Sequence, residues 1–273
     1  KDFVAEMHKY KTLIFMDSSN LDRTNEILGL NLSSETFLPI SCESNVQIIN
    51  NIVSKKNELN ISWVGRICDF KVNILKYTIL KLDEISRNKK QKIVFHVIGN
   101  GPEINEIQNI LINNDYFNLQ MVGVIPKNQL DQYLLDKIDI NAAMGTSALE
   151  SAKLGIPTII LDISHNKIQG DYLFRWLHET INFDLGHVIS KLDINDNNTS
   201  LQKIILNFVN EKDTLQEKTI EYFKKNHSID SVSNKLINFV ENDSLKFENI
   251  NNFYFKKNFL RKVYEYKLYK IWS

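Results

Sequence analysis

Three consecutive residues, Gly145, Thr146 and Ser147, have the types that bind a phosphate group. They follow a short apolar run and precede a segment with helical spacing, so we expect them to lie at the start of a helix. Glycine lets backbone amides come close to a ligand, and the first amides of a helix attract anions. The two hydroxyls add further hydrogen-bonding groups. These residues therefore predict an anion-binding turn.

Glu150 lies about one helical turn further on, on the same face of the predicted helix. Its carboxylate would repel a phosphate, so its expected partner is a neutral diol such as a ribose. A second interpretation needs no ligand: Ser147 as N-cap and Glu150 three residues later match a capping box. A capping box does not account for Gly145 and Thr146, and the ligand interpretation therefore stands beside it.

Arg66 and Lys71 form a second candidate for anion binding, directly after another apolar run. A guanidinium forms forked hydrogen bonds to phosphate oxygens, and an ammonium adds a point charge. The pair is suited to neutralise a pyrophosphate. The alternative is a solvated pair of surface cations without a ligand.

Gly99, Asn100 and Gly101 follow a third apolar run, and Gly123 follows a fourth. The first group is not a dinucleotide fingerprint, because the third glycine is missing and Pro102 intervenes. No His and Cys cluster has the spacing of metal ligands, so the sequence predicts no metal site. It also lacks the Gly-x-Ser-x-Gly elbow of serine hydrolases.

The elements that must position these residues alternate between strands and helices. Helical spacing is expected after each of the strands that begin at residues 61, 93, 119 and 138. Further helices are expected between residues 201 and 241. This alternation predicts an α/β fold with a doubly wound parallel sheet, in which ligands bind at the carboxyl ends of the strands. All four polar loops fall at such ends. The predicted strands are 12–16, which is set apart from the others, and then 61–64, 93–98, 119–122, 138–141 and 157–161.

The chain has 273 residues, 43% hydrophobic content and 24% charged residues, which excludes wholesale disorder. Its 33 basic and 33 acidic side chains give a net charge of zero, which argues against a nucleic-acid binder. Zero is nevertheless the sum of two unlike parts. From residue 246 onward the sequence has seven Lys and Arg but only two acidic residues, a net charge of +5. The preceding part therefore carries a net charge of −5.

The order of these motifs resembles the C-terminal half of group 1, family four-like glycosyltransferases. These enzymes have the GT-B fold, two Rossmann-like domains that face each other across a cleft. The stretch 144–158 is particularly similar to bacterial capsule and surface-polysaccharide glycosyltransferases. The motifs in order are Gly65 and Arg66 with Lys71, residues 97–102, residues 122–125, the helix with Glu150, and residues 154–158.

The resemblance implies a role for each candidate residue. Arg66 and Lys71 would hold the donor diphosphate, and Glu150 would bind the ribose; these three are the expected catalytic residues. No metal would be required, and the nucleotide would be UDP, with GDP as the alternative. The remaining donor-binding residues would flank the nucleotide, read its base through the backbone, or meet the phosphates: Gly65, Gly99, Asn100, Gly101, Gly123, Val124, Ile125, Gly145, Thr146 and Ser147.

Two departures from the family pattern matter. The family often has a glutamate about eight residues before the equivalent of Glu150, and this sequence has Ala142 and Ala143 there. The chain is also short, which predicts a fragment that lacks the N-terminal acceptor domain. The expected organisation is residues 1–40 as remnants of that domain or a linker, 41–243 as the nucleotide-sugar-binding domain, and 244–273 as a basic aromatic helix.

The predicted activity is transfer of a sugar from a nucleotide sugar to a saccharide or lipid-linked acceptor in bacterial surface-polysaccharide synthesis, with retention of configuration. Two alternatives stay open: a sugar-nucleotide epimerase of the same fold, and a non-catalytic donor-binding subunit that needs an acceptor partner. Residues 246–273 predict contact with an anionic membrane surface or packing against the acceptor domain. The expected location is the cytoplasm, and the membrane contact would place the chain on the cytoplasmic face of the inner membrane.

Overall fold

A computed structural model describes residues 1–34, 36–43, 58–189 and 198–242. The strands are β1 (Glu58–Val64), β2 (Lys92–Ile98), β3 (Phe117–Gly123), β4 (Ile140–Ala143), β5 (Thr158–Ile160) and β6 (Arg175–Trp176). The helices are α1 (Asp2–Lys9), α2 (Ser18–Leu28), α3 (Asp69–Lys89), α4 (Ile104–Gln108), α5 (Lys127–Lys137), α6 (Thr146–Ala152), α7 (Leu201–Asn226) and α8 (Ile229–Glu241). A short 3₁₀ turn, Leu177–Glu179, follows β6.

The six strands form one sheet in the order β3-β2-β1-β4-β5-β6. Strands β1 to β5 are parallel, and β6 is antiparallel to β5. The strand order reverses between β1 and β4, which makes this pair the topological switch point of a Rossmann-like sheet. The predicted α/β fold is confirmed, and the two-residue strand β6 is an addition that the sequence did not predict.

The core lies on both faces of this sheet, which explains why its strands read as continuous apolar runs. Trp63 in β1 and Phe95 in β2 are fully buried. Helix α3 covers one face with Leu75, Ile79 and Leu82, all fully buried and spaced as its helical pattern predicted. Each such side chain stabilises the fold by about 1.5–3 kcal/mol relative to an exposed one.

Several local predictions were wrong or incomplete. Residues 12–16 form no strand; Phe15 makes only a single parallel bridge with Phe37. The helix expected to include Leu111 ends at Gln108, and Leu111 is 95% exposed. By contrast, the two helices expected at 201–210 and 213–225 are confirmed: they make up the two parts of α7, which meet at a kink where the backbone of Glu211 is not helical.

The C-terminal helix predicted at 244–273 lies outside the described residues, as does the membrane contact predicted for 246–273. In the described part of the chain, no helix is both long and apolar enough to cross a bilayer.

Candidate functional site

The loops after β1 and β2 pack backbone against backbone at the carboxyl edge of the sheet. The Gly65 amide donates to the Ile98 carbonyl at 3.0 Å, and the Gly99 amide donates to the Gly123 carbonyl at 2.8 Å. A Cβ on Gly99 would lie 1.9 Å from the Gly65 oxygen, and one on Gly101 would lie 1.9 Å from the Ile67 oxygen. These two glycines are therefore required for the β2 loop to pack against the β1 loop, and this requirement does not depend on any ligand.

Gly123 and Gly145 have a different environment, because no atom lies within 4 Å of a Cβ built on either residue. Both have positive φ, 79° and 61°, which glycine adopts without strain. Gly145 is the N-cap of α6, and no side chain caps this helix. The capping box of Ser147 and Glu150 is therefore not formed.

The amide of Gly145 donates to the Leu185 carbonyl at 2.7 Å. The Gly145 amide is therefore used within the chain, and the amides predicted to meet a phosphate are those of the next two residues. The amides of Thr146 and Ser147 lie in the first helical turn, where no intrahelical carbonyl can accept from them. Thr146 is exposed, and the Ser147 hydroxyl lies 3.7 Å from the Cβ position of Gly65. The start of α6 thus faces the end of β1.

Arg66 and Lys71 lie beside this junction. Arg66 is exposed, and Lys71 lies in the first turn of α3 with its ammonium 5.9 Å from the Trp63 ring centroid. Burial lowers the pKa of Lys71, and the nearby charge of Arg66 lowers this pKa further. Neither cation forms a salt bridge with any described residue. Their charge is available to an anion, unlike that of an ordinary surface ion pair.

The residues after β2 and β3 complete the same edge. Asn100 is exposed, and its side-chain oxygen accepts from the Gly101 amide at 2.7 Å. Val124 is 72% exposed, and Ile125 packs partly against a small apolar cluster that includes Ile98. The predicted loops therefore meet at one edge, and Val124 is exposed to solvent there.

Glu150 projects from α6 one turn after Thr146, and it is half-buried. Its Oε2 accepts from the Lys153 ammonium at 2.6 Å, and the same ammonium lies 3.0 Å from Asp131 on α5. The lysine was not among the predicted site residues.

A buried hydrogen-bonded chain holds α6 against the sheet. Ser62 in β1 donates to Asn141 in β4 at 2.8 Å, and Asn141 donates to Ser151 in α6 at 2.7 Å. The Ser151 hydroxyl also lies 2.9 Å from that of Thr158 in β5. All four residues are fully buried. Their satisfied polar groups fix α6, and with it Thr146, Ser147 and Glu150, relative to the strand ends.

Sequence reasoning missed a buried ionic cluster beside the Gly145 turn. Arg175 donates to both oxygens of Asp162 and to Asp184, each at 2.7 Å. The imidazole of His187 lies 2.6 Å from Asp184, and this contact and the Asp162 charge raise the pKa of His187 although burial opposes them. The available signal was an arginine between two buried aromatic residues, Phe174 and Trp176.

Asp162, Asp184 and His187 place three potential metal-ligand atoms within 4.8 Å of one another. Arg175 already forms ion pairs with both carboxylates, so a divalent cation would have to share them with a buried guanidinium. The arrangement fits an internal ion-pair network better than a metal centre. It also reaches α2, because the Ser19 hydroxyl donates to Asp184 at 3.0 Å.

A cavity of about 1000 Å³ lies elsewhere, between α1, the loop at Phe183 and α8. Basic residues His8, Lys9, Lys11 and Lys235 line it together with aromatic side chains. None of the predicted site residues lines this cavity.

No protein-family model matches the sequence, and no curated protein sequence matches it. Among solved structures, the chain is similar to the lipopolysaccharide outer core galactosyltransferase WaaB in its apo form, with a TM-score of 0.54 and 11% identity. It is also similar to a mutant of S. aureus TarM in complex with Fondaparinux, alpha-GlcNAc-glycerol and UDP, with a TM-score of 0.52 and 18% identity.

These two alignments cover 84% and 83% of this chain. The chain spans only 61% of the length of the first structure and 43% of the second. At these identities the similarity shows the fold, which is the α/β fold of GT-B glycosyltransferases.

Proposed function

We propose that this chain is the donor-binding part of a glycosyltransferase that moves a sugar from a nucleotide sugar to a saccharide or lipid-linked acceptor. One observation carries the proposal: the loops after β1, β2, β3 and β4 meet at one edge of a Rossmann-like sheet, next to Arg66 and Lys71. These two cations have no acidic partner among the described residues. An unpaired guanidinium and ammonium at a strand-end crevice suit a diphosphate.

In the proposed mechanism, the bond between the sugar C1 and the diphosphate oxygen breaks while an acceptor hydroxyl adds to C1 and passes its proton to the departing diphosphate oxygen. Negative charge accumulates on the leaving diphosphate. Arg66 and Lys71 offset this charge, and the amides and hydroxyls of Thr146 and Ser147 bind phosphate oxygens. The proposed scheme uses no metal ion, because side-chain cations carry out the charge neutralisation. The family resemblance extends the proposal to retention of configuration.

The nucleoside would lie along the same edge. Glu150 accepts from the ribose hydroxyls, Gly99 and Asn100 flank the nucleotide, and the backbone at Val124 and Ile125 reads the base. UDP is the proposed nucleotide, with GDP as the alternative; the TarM structure contains UDP. WaaB is a galactosyltransferase of the lipopolysaccharide outer core, and on this support we include a role in bacterial surface-polysaccharide synthesis in the proposal.

A second candidate is a donor-binding subunit without transfer activity of its own. Its support is that the chain spans 61% and 43% of the two similar structures, so groups from a separate acceptor domain could be needed. A transfer assay with added acceptor domain would distinguish the two candidates: activity without that domain excludes the second.

The proposed location is the cytoplasmic face of the inner membrane, with residues 246–273 on the anionic surface. The support is the local excess of five basic residues together with the aromatic residues of this segment. Co-sedimentation with anionic vesicles tests this, and binding that is unchanged after deletion of 246–273 would disprove it.

Calorimetry with UDP, GDP and ADP tests the proposed donor site. We expect one diphosphate to bind with a stoichiometry of one, and the matching nucleoside to bind at least about tenfold more weakly, because it lacks the groups that Arg66 and Lys71 contact. Absence of binding by all three diphosphates would refute the donor-site proposal.

A further inference from the structure

Lys153 follows α6 directly, and its ammonium bridges two carboxylates. It lies 2.6 Å from Glu150 Oε2 on the same helix and 3.0 Å from Asp131 Oδ2 on α5. The lysine side chain is 7% exposed, whereas those of Glu150 and Asp131 are 23% and 30% exposed. The cation is therefore the buried member of the group, and the two acids reach solvent.

Burial alone would lower the pKa of Lys153, because it disfavours the charged amine. The hydrogen bonds and charges of Glu150 and Asp131 outweigh burial and raise this pKa above its usual value. Lys153 consequently stays an ammonium at neutral pH, with its donors directed at the two carboxylates.

The contact with Lys153 uses one oxygen of Glu150. Within the described parts of the chain, no residue donates a hydrogen bond to the other oxygen, Oε1. Glu150 also lies on the same face of α6 as Thr146. Thr146 is one turn nearer the strand ends than Glu150. A carboxylate held through Oε2 by a buried cation can offer Oε1 in a fixed direction without losing the ion pair.

We propose that Lys153 is a positioning residue that orients Glu150 toward the ribose of the bound nucleotide and makes the site selective for ribonucleoside over 2′-deoxyribonucleoside diphosphates. This inference rests on the proposed function, because it requires a nucleotide at the strand-end edge. A glutamate without this support would sample several rotamers, and the entropy of fixing it would weaken its hydrogen bond to a hydroxyl.

Lys153 could instead serve only to join α5 to α6 through Asp131. A purely structural role makes a different prediction for ligands. Loosening α6 would lower the affinity of every nucleotide that binds next to this helix, whether or not the nucleotide has a 2′-hydroxyl. Misorienting Glu150 alone would weaken the binding of UDP more than that of 2′-deoxy-UDP, which keeps only the 3′-hydroxyl as a partner for Glu150.

The experiment is calorimetric titration of the full chain with UDP and with 2′-deoxy-UDP. We expect the wild-type chain to bind UDP about tenfold more tightly, which corresponds to one hydrogen bond to a charged group. Lys153→Met should reduce UDP affinity about tenfold and 2′-deoxy-UDP affinity clearly less, so that the preference for UDP shrinks. Lys153→Arg should restore most of the preference, because arginine also binds carboxylates.

Lys137→Met, an exposed position at the end of α5, is the matched control and should not change either affinity. Circular dichroism verifies that each variant is folded. If Lys153→Met keeps the preference for UDP, or if it weakens both ligands equally, the positioning role is wrong. If the wild-type chain binds GDP but not UDP, the same comparison is made with GDP and 2′-deoxy-GDP. If it binds none of UDP, GDP and ADP, the proposed function itself fails, and the inference fails with it.

Discussion

At the scale of single residues, four cations in the described part of the chain have two contrasting environments. Lys153 and Arg175 are buried and each contacts two carboxylates. Arg66 and Lys71 lie at the strand-end edge and form no salt bridge within the described residues. Cations without a counter-ion at a crevice attract anionic ligands, which is why the donor site is proposed at this pair.

His96 gives a residue-scale prediction about pH. Its two ring nitrogens contact the Tyr133 hydroxyl at 2.9 Å and the Asn60 oxygen at 3.0 Å. A neutral imidazole satisfies both partners. Burial lowers the pKa of His96 from 6.5 to about 4, and the charge of Lys137 adds to this effect.

Between about pH 6.5 and pH 4, the unfolded chain therefore binds a proton at this position and the folded chain does not. The free energy of unfolding should fall as the pH decreases through this window, with His96 contributing roughly 1–2 kcal/mol between pH 7 and pH 5. Urea denaturation of His96→Gln should show a pH dependence smaller by that amount. Exposed His165→Gln is the control. An identical pH dependence in His96→Gln and the wild-type chain would contradict this account.

At the scale of elements, glycine is needed at the carboxyl edge of the sheet for two separate reasons. The glycines after β2 let two loops touch, because a Cβ would strike the backbone of the β1 loop. Those after β3 and β4 face open space and have positive φ. The sequence shows only that a glycine is present, so a close approach between chain segments cannot be distinguished from room for a ligand.

Gly101→Ala tests the close approach. The φ angle of Gly101 is not positive, so backbone conformation alone predicts a gain of about 0.4–1 kcal/mol from a less flexible unfolded chain. The clash with the Ile67 carbonyl predicts a loss of about 2–3 kcal/mol instead. Guanidinium denaturation shows whether the free energy of unfolding of Gly101→Ala is higher or lower than that of the wild-type chain. Gly170→Ala, in open space with positive φ, should lose only about 1 kcal/mol; a stabilised Gly101→Ala would show that the loops do not pack as described.

The elements also show how far the sequence could predict the fold. The strands β1 to β5 were predictable because parallel strands buried on both faces are continuous apolar runs between turn residues. Strand β6 has two residues, too few for any periodicity, and the expected strand at 12–16 failed because only Phe15 finds a pairing partner. The loops were located correctly, since a parallel sheet brings all its strand ends to one edge.

At the scale of the molecule, the buried cluster around Arg175 joins parts of the chain that are far apart in sequence. It connects β6 with Asp162 after β5, with Asp184 and His187, and through Ser19 with α2. Sequence reasoning could not find it, because its members have no regular spacing and their mutual neutralisation appears only in three dimensions. Lys153 lies three residues after Glu150, a spacing that the sequence does show, but its contact with Asp131 on another helix and its burial appear only in the structure.

Arg175→Met should therefore destabilise the whole fold by about 3–5 kcal/mol, because two buried carboxylates lose their cation. The control Arg87→Met removes an exposed partner of Asp83 and should cost less than about 1 kcal/mol. Denaturant midpoints with constant slopes measure both effects. Equal losses in the two variants would mean that the cluster adds nothing beyond a surface ion pair.

The central claim concerns where a nucleotide binds, and a crystal structure of the chain with UDP tests it most directly. Our account predicts the diphosphate within hydrogen-bond distance of Arg66 or Lys71 and of Ser147, with the ribose beside Glu150. A diphosphate bound instead among Lys9, Lys11 and Lys235, in the cavity between α1 and α8, would contradict the account.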